Sequence, residues 1–356
     1  MSDWPKRASR IAIGSMIFSV LVAIGVYVRF APPVAPPMDD PFAGRYRYFG
    51  LAVAPQNSNL IWMVGTYGQV RMTRDGGEHW VSGWAGVDRH LQDAVALDEN
   101  TVIAVGNDNA IVRSEDGGKS WQLVSGVPLS EIENKLIRIR QAPDGALWAV
   151  GVMGAVLVSH DQGRTFAQVM PREDLAWNDV AFSERGTWLV GEFGRILFSP
   201  DGRQWQTVLS PVHESFMGVN FSGSRGVIVG LNGMALITED AGQIWTQLSS
   251  DSAMPAFYSV AMDPSGNAVL GGALGRIFTL DHRLRPALKA LDSRLKPADV
   301  VLEVELRDHQ LIALTETHIL KLALPDRKQA LPEAGPGTDL FASSQPLPTV
   351  HAIKAK

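Results

Sequence analysis

The chain has 356 residues, 46% hydrophobic and 19% charged, which suffices for one large domain or two ordinary ones and is too apolar for global disorder. A net charge of −5 argues against a general nucleic-acid binder. The absence of cysteine excludes disulfides, thiolate metal sites, a cysteine nucleophile and a lipidated cysteine anchor.

Residues 1–10 form a basic N-terminus, with Lys6, Arg7 and Arg10 against Asp3 alone. An apolar run at 11–28 follows; as a helix it spans about 27 Å, close to a bilayer core of about 30 Å. The spacing predicts a transmembrane signal-anchor helix over 11–30, with the basic end cytoplasmic and the rest translocated. A cleaved signal peptide is the competing reading. The length of the run, Arg29 at its end and prolines in place of a small-x-small site favour the anchor. Residues 31–45, rich in proline, read as a stiff spacer. The expected location is the bacterial inner membrane, single-pass, with the bulk of the chain in the periplasm.

From Tyr46 onward the sequence repeats. The stretch Thr73-Arg74-Asp75-Gly76-Gly77-Glu78-His79-Trp80 recurs around Asp116 and Trp121, Asp161 and Phe166, Asp201 and Trp205, and Asp240 and Trp245. Upstream of each sits an apolar strand ending in Gly-x-x-Gly or a variant, whose first glycine falls at 65, 106, 151, 191, 230 and 272, with a degenerate seventh copy near 314–318. A unit resolves into four short strands; in the fourth these are 178–183, 187–190, 195–198 and 205–209. Four strands per unit of about 40 residues is the arithmetic of a β-propeller. The expected fold is all-β, a seven-bladed propeller over 46–333, with 325–328 as a worn Asp turn and a disordered tail at 334–356. Six blades plus an extension is the alternative.

In the Asp turn, a carboxylate accepts backbone N–H groups, glycine supplies positive φ, and the aromatic opens the outer strand and packs between blades. These aspartates read as scaffold. Calcium would need more oxygens than each turn offers. The segment 281–298 replaces the sixth Asp turn and carries five basic residues; an outer strand with a long loop suits it better than a helix.

The coupled pattern V-G-x-x-G-x-(I/V)-x-x-S-x-D-G-G-x-x-W, nearly complete from Val64 to Trp80, resembles the Asp-box (BNR) repeat class and, more closely, the photosystem II stability/assembly factor family. The resemblance covers about Tyr46 to Leu324. It implies a seven-bladed propeller that binds membrane-protein partners during assembly and has no chemistry of its own. Cyanobacterial members tend to be lipoproteins; this chain has no cysteine to lipidate, so it reads as a periplasmic relative held by its own helix.

A sialidase-like hydrolase or a glycan-binding propeller is the alternative function. The enzyme would need three arginines, a Tyr–Glu pair and an acid at the axis. Only Arg138, Arg140 and Tyr258 qualify by position, and no full set assembles. The eight histidines show no metal-ligand spacing. No cofactor, metal, nucleic acid or small-molecule substrate is expected. The expected partner is an inner-membrane protein or complex, with a transporter as one candidate. It would meet the face made by the inter-blade loops and the Gly-x-x-Gly turns. Candidate contacts are Tyr67, Arg89, His90, Arg138, Arg172, Trp177, Phe193, His213, Phe216, Phe257 and Tyr258. For Trp177, Phe216 and Phe257 a second reading, as plugs of blade junctions, stands beside this one.

Overall fold

Short β-branched and aromatic runs punctuated by glycine and Asx turns favour successive hairpins. The computed structural model describes residues 46–248, 254–281, 289–291, 295–308, 310–316, 318–324 and 351–352. They form seven antiparallel sheets of four strands each, in sequential order within every sheet. The innermost strands are Tyr48–Ala54, Leu91–Ala96, Leu136–Gln141, Trp177–Ser183, Phe216–Ser222, Phe257–Met262 and Val301–Arg307. Each touches the next, and the seventh touches the first, so the sheets close into a ring. This is the expected seven-bladed propeller. The anchor expected at 11–30 and the spacer at 31–45 lie outside the described residues. No helix among the described residues is long and apolar enough to cross a membrane.

Each innermost strand begins with the same three-residue device. Its first residue, Tyr48, Leu91, Leu136, Trp177, Phe216, Phe257 or Val301, is fully buried. Its second is bulged out of register with the neighbouring strand. Its third is Gly50, Asp93, Arg138, Asp179, Gly218, Ser259 or Glu303. Several of these third residues bond the next blade. Asp93 accepts the Ile139 N–H at 2.8 Å, Asp179 the Val219 N–H at 3.0 Å, Ser259 the Val304 N–H at 3.1 Å and Glu303 the Leu51 N–H at 2.7 Å. The last of these joins blade seven to blade one. Where the third residue is Gly50, a Cβ would stand 2.4 Å from Cα of Asp93, so the strands meet by close approach instead.

The Asp turns repeat one hydrogen-bond pattern. Thr73 Oγ1 donates to Asp75 at 2.7 Å and accepts the Gly77 N–H at 2.9 Å, while Asp75 accepts the His79 N–H at 3.0 Å. Ser114 with Asp116, Ser159 with Asp161 and Thr238 with Asp240 do the same. The shorter fourth copy keeps the Ser199–Asp201 bond at 3.1 Å. Burial alone would raise the Asp116 and Asp161 pKa values. The hydrogen bonds from Ser120, Ser114 and Lys119, and from Thr165, Ser159 and Arg164, outweigh it and bring each down to about 2.

Second-strand tryptophans pack onto these turns from the preceding blade. The Trp62 indole donates to the Gly117 carbonyl at 3.1 Å. Trp148 meets Trp205 edge-on at 6.0 Å, and Trp188 meets Trp245 at 5.9 Å. The Asp-turn aromatics therefore do pack between blades, against partners in the second strand. In blade six the outer strand is Lys289–Leu291, as expected of that segment. In blade seven it is His351–Ala352, in the segment expected to trail beyond the propeller. The worn turn placed at 325–328 lies outside the described residues.

Candidate functional site

The Gly-x-x-Gly turns and the loops entering each blade share one face, held by backbone bonds between neighbours. Gly68 N–H donates to the Arg89 carbonyl at 2.7 Å, Gly154 to Leu175 at 2.7 Å and Gly275 to Asp299 at 2.7 Å. At Gly68 only glycine fits. Gly68 has φ +67°, and a Cβ would stand 2.2 Å from the Val87 carbonyl oxygen.

The residue before that glycine is left-handed too, with φ between 53° and 61° at Tyr67, Met153, Phe193, Asn232 and Leu274. Two successive positive φ values make a type I′ hairpin turn, which favours Asn-Gly or Asp-Gly. Blade five obeys with Asn232-Gly233. Blades one, three, four and six place Tyr, Met, Phe and Leu instead. A bulky side chain in this region costs about 1 kcal/mol or more, and burial does not offset it. Phe193 is 70% exposed, Leu274 56% and Tyr67 53%. The bulged residues Phe49, Ile137, Met217, Tyr258 and Leu302, at the start of the innermost strands, are half-buried and extend this apolar character toward the axis.

The candidates named from sequence divide accordingly. Tyr67 and Phe193 are exposed on this face, and their N–H groups are received by the next blade, at His90 Nδ1 (3.2 Å) and Ser215 Oγ (3.3 Å). His90 also packs against Tyr67 at a tilt of 56°, with ring centroids 4.7 Å apart, and meets Phe49 edge-on. Arg89 is exposed and ion-paired to Asp108. His213 is exposed and Tyr258 half-buried. Arg172 is half-buried, donates to the Pro128 carbonyl at 3.0 Å and has its pKa drawn down by burial.

Four candidates are not available to a partner. Trp177, Phe216 and Phe257 are fully buried, because the first residue of each innermost strand fills a blade junction. This is the plug reading. Arg138 is buried on the axis because its place in the strand is the third, which faces carboxylates. Phe49, Ile137, Met217, Leu302 and Leu274 were missed; aligning the repeats from the first strand residue would have found the first four.

Beneath the mouth lies a charge cluster. Arg140 Nη1 is 3.0 Å from Asp93, its Nε 3.7 Å from Asp179 and its Nη2 3.6 Å from Glu303. Arg138 lies 3.9, 3.9 and 3.4 Å from the same three carboxylates. Burial opposes the Arg140 charge, but Asp93, Asp179 and Glu303 hold it on and raise its pKa. Both arginines are thus engaged inside the ring, and this cluster offers no free cationic grip for a sugar carboxylate.

A family model described as "Photosynthesis system II assembly factor YCF48" matches residues 168–282. The chain is 27% identical over 186 residues to the photosystem II assembly protein Ycf48 of Synechococcus sp. (strain JA-2-3B'a(2-13)), a match covering 49% of this chain and 55% of the relative. The chain is similar to the Ycf48 photosystem II assembly factors. The chain spans about half the length of this curated relative. A relative from Synechococcus sp. (strain CC9902), 23% identical over 59% of this chain and 65% of its own, is named a photosystem II assembly lipoprotein. Among solved structures, Ycf48 bound to a D1 peptide superposes with a TM-score of 0.64 at 18% identity, over 82% of this chain and 98% of that one. A GH74 enzyme from Niastella koreensis superposes at 0.56 and 16% identity, over 75% of this chain and 50% of that one. These structural likenesses show the propeller fold.

Proposed function

We propose that this chain is a non-catalytic, membrane-associated propeller that binds an apolar segment of a membrane protein on its entry face, as an assembly factor of the Ycf48 kind. The observation that carries the reading is the set of bulky apolar residues held exposed in left-handed turns, where the fold alone would favour Asn or Asp. Arg89 and Arg195 on this face are paired, with Asp108 and Glu173, and the exposed turn residues offer a partner apolar contact. A peptide of a membrane protein as the bound species agrees with the D1 peptide named for the Ycf48 structure. Related proteins named lipoproteins support membrane association; here the apolar run at 11–28 would supply it, with the propeller in the periplasm.

The test is co-purification from detergent-solubilised membranes with the wild-type chain and with Phe193→Asn combined with Leu274→Asn. Asn suits the turn, so the variant keeps its melting temperature or gains a few degrees while losing the membrane partner. Undiminished recovery of that partner, or failure of the wild type to retain one, overturns the proposal.

A further inference from the structure

The axial cluster does not balance its charge. Three carboxylates, Asp93, Asp179 and Glu303, face two guanidiniums, Arg138 and Arg140, and all but Arg140, 26% exposed, are buried. A net charge in a dry interior is strongly disfavoured. It can be discharged by a bound cation or by a proton. Among the described residues no group of three His, Asp or Glu could hold a metal ion.

We propose that the cluster holds one proton at neutral pH, on the Asp93–Glu303 pair and chiefly on Glu303, and that this proton keeps the seam between blades seven and one closed. The neighbours decide which carboxyl carries it. Asp179 accepts two backbone N–H groups, from Val180 at 2.9 Å and Val219 at 3.0 Å. Asp93 has the Ile139 N–H at 2.8 Å and the closest guanidinium contact, 3.0 Å to Arg140. Glu303, fully buried, lies 3.4 Å from Arg138 and 3.6 Å from Arg140 and accepts the Leu51 N–H at 2.7 Å. Glu305, two residues along its own strand, adds like charge. Blade one presents the Leu51 N–H to Glu303, and in blade six Ser259 accepts the N–H of the adjacent Val304. Burial, then the Asp93 charge, push the Glu303 carboxyl well up. Asp93 Oδ1 is buried and has no hydrogen-bond partner among the described residues.

The same carboxyl joins the last blade to the first through the 2.7 Å bond from Leu51 N–H. Among the described residues no strand is exchanged across that seam. An ionised Glu303 would leave uncompensated charge there. Because its folded pKa is raised, this stability is full below the ordinary glutamate value. It falls as pH rises and is lost through the raised folded value.

The experiment is thermal unfolding of the full chain in detergent between pH 5 and 9, for wild type, Glu303→Gln and Glu303→Ala. Gln is uncharged and can still accept the Leu51 N–H. The wild-type Tm falls as pH rises. In Glu303→Gln that fall is lost, and at pH 9 the variant melts higher by about 4 °C or more. Glu303→Ala melts lower at every pH. A Glu303→Gln variant that melts as low as Glu303→Ala at pH 7 overturns the proposal. Infrared spectroscopy of the wild type needs no variant to fold: a protonated-carboxyl C=O band persisting at pH 7 supports it, and absence of that band overturns it.

Discussion

The two ends of the propeller use one repeat in opposite ways. At the Asp-turn end the copies agree, with hydroxyl-to-aspartate bonds of 2.7 to 3.1 Å in all five. Where the first turn glycine is missing, Gln162 (φ 61°) and Ala241 (φ 55°) still adopt the left-handed conformation. At the entry end the backbone is equally regular, yet Tyr67, Met153, Phe193 and Leu274 stand where Asn232 shows what the turn favours. Side chains that serve the backbone's own preference at one end report on the fold. Side chains that oppose it at the other end, without being buried, report on what the fold is used for.

The contrast can be broken at several points. Trp188→Ala removes a fully buried indole that packs against Phe198, Phe221 and Trp245. It should cost about 3–5 kcal/mol in denaturant unfolding, while folded protein still retains its membrane partner. Asp116→Ala removes bonds from Ser114, Lys119 and Ser120. A loss of about 1–2 kcal/mol is expected, again with partner retention intact; lost retention at unchanged stability would mean the two ends are reversed.

Acid should act on the Asp-turn end in particular. The Asp116 and Asp161 pKa values are depressed from 3.8 to about 2. Their stabilising contribution is therefore present above about pH 4 and lost as pH falls toward 2. A melting series across that range should show the loss, and Asp116→Asn should blunt it. The smallest effect has the opposite sign. Phe193→Asn alone should stabilise by up to about 0.5–1 kcal/mol by relieving the turn, and lower stability would show that Phe193 is packed rather than presented.

Much of the scaffold was legible before the structure. The strands of blade four read at 178–183, 187–190, 195–198 and 205–209 appear as Trp177–Ser183, Gly186–Gly191, Ile196–Ser199 and Gln206–Val208. Turn chemistry and period are local properties, written within a few residues. The site was only partly legible. Tyr67 and Phe193 were found because they occupy turns, and Trp177, Phe216 and Phe257 follow their plug reading, whereas Arg138 was misplaced because one residue along a strand changes what a side chain faces. The bulge after Trp177, Phe216 and Phe257 sets that phase, and it shows only when the repeats are aligned from the first strand residue.

By itself, then, the sequence determined the number of blades, the four-strand unit and the hydrogen-bonded Asp turns, since each follows from contacts between near neighbours in the chain. Only the tertiary structure decided that Asp93, Arg138, Arg140, Asp179 and Glu303 share one buried cluster and that Glu303 meets Leu51. These residues come from blades two, three, four, seven and one, and ring closure alone brings their strands edge to edge.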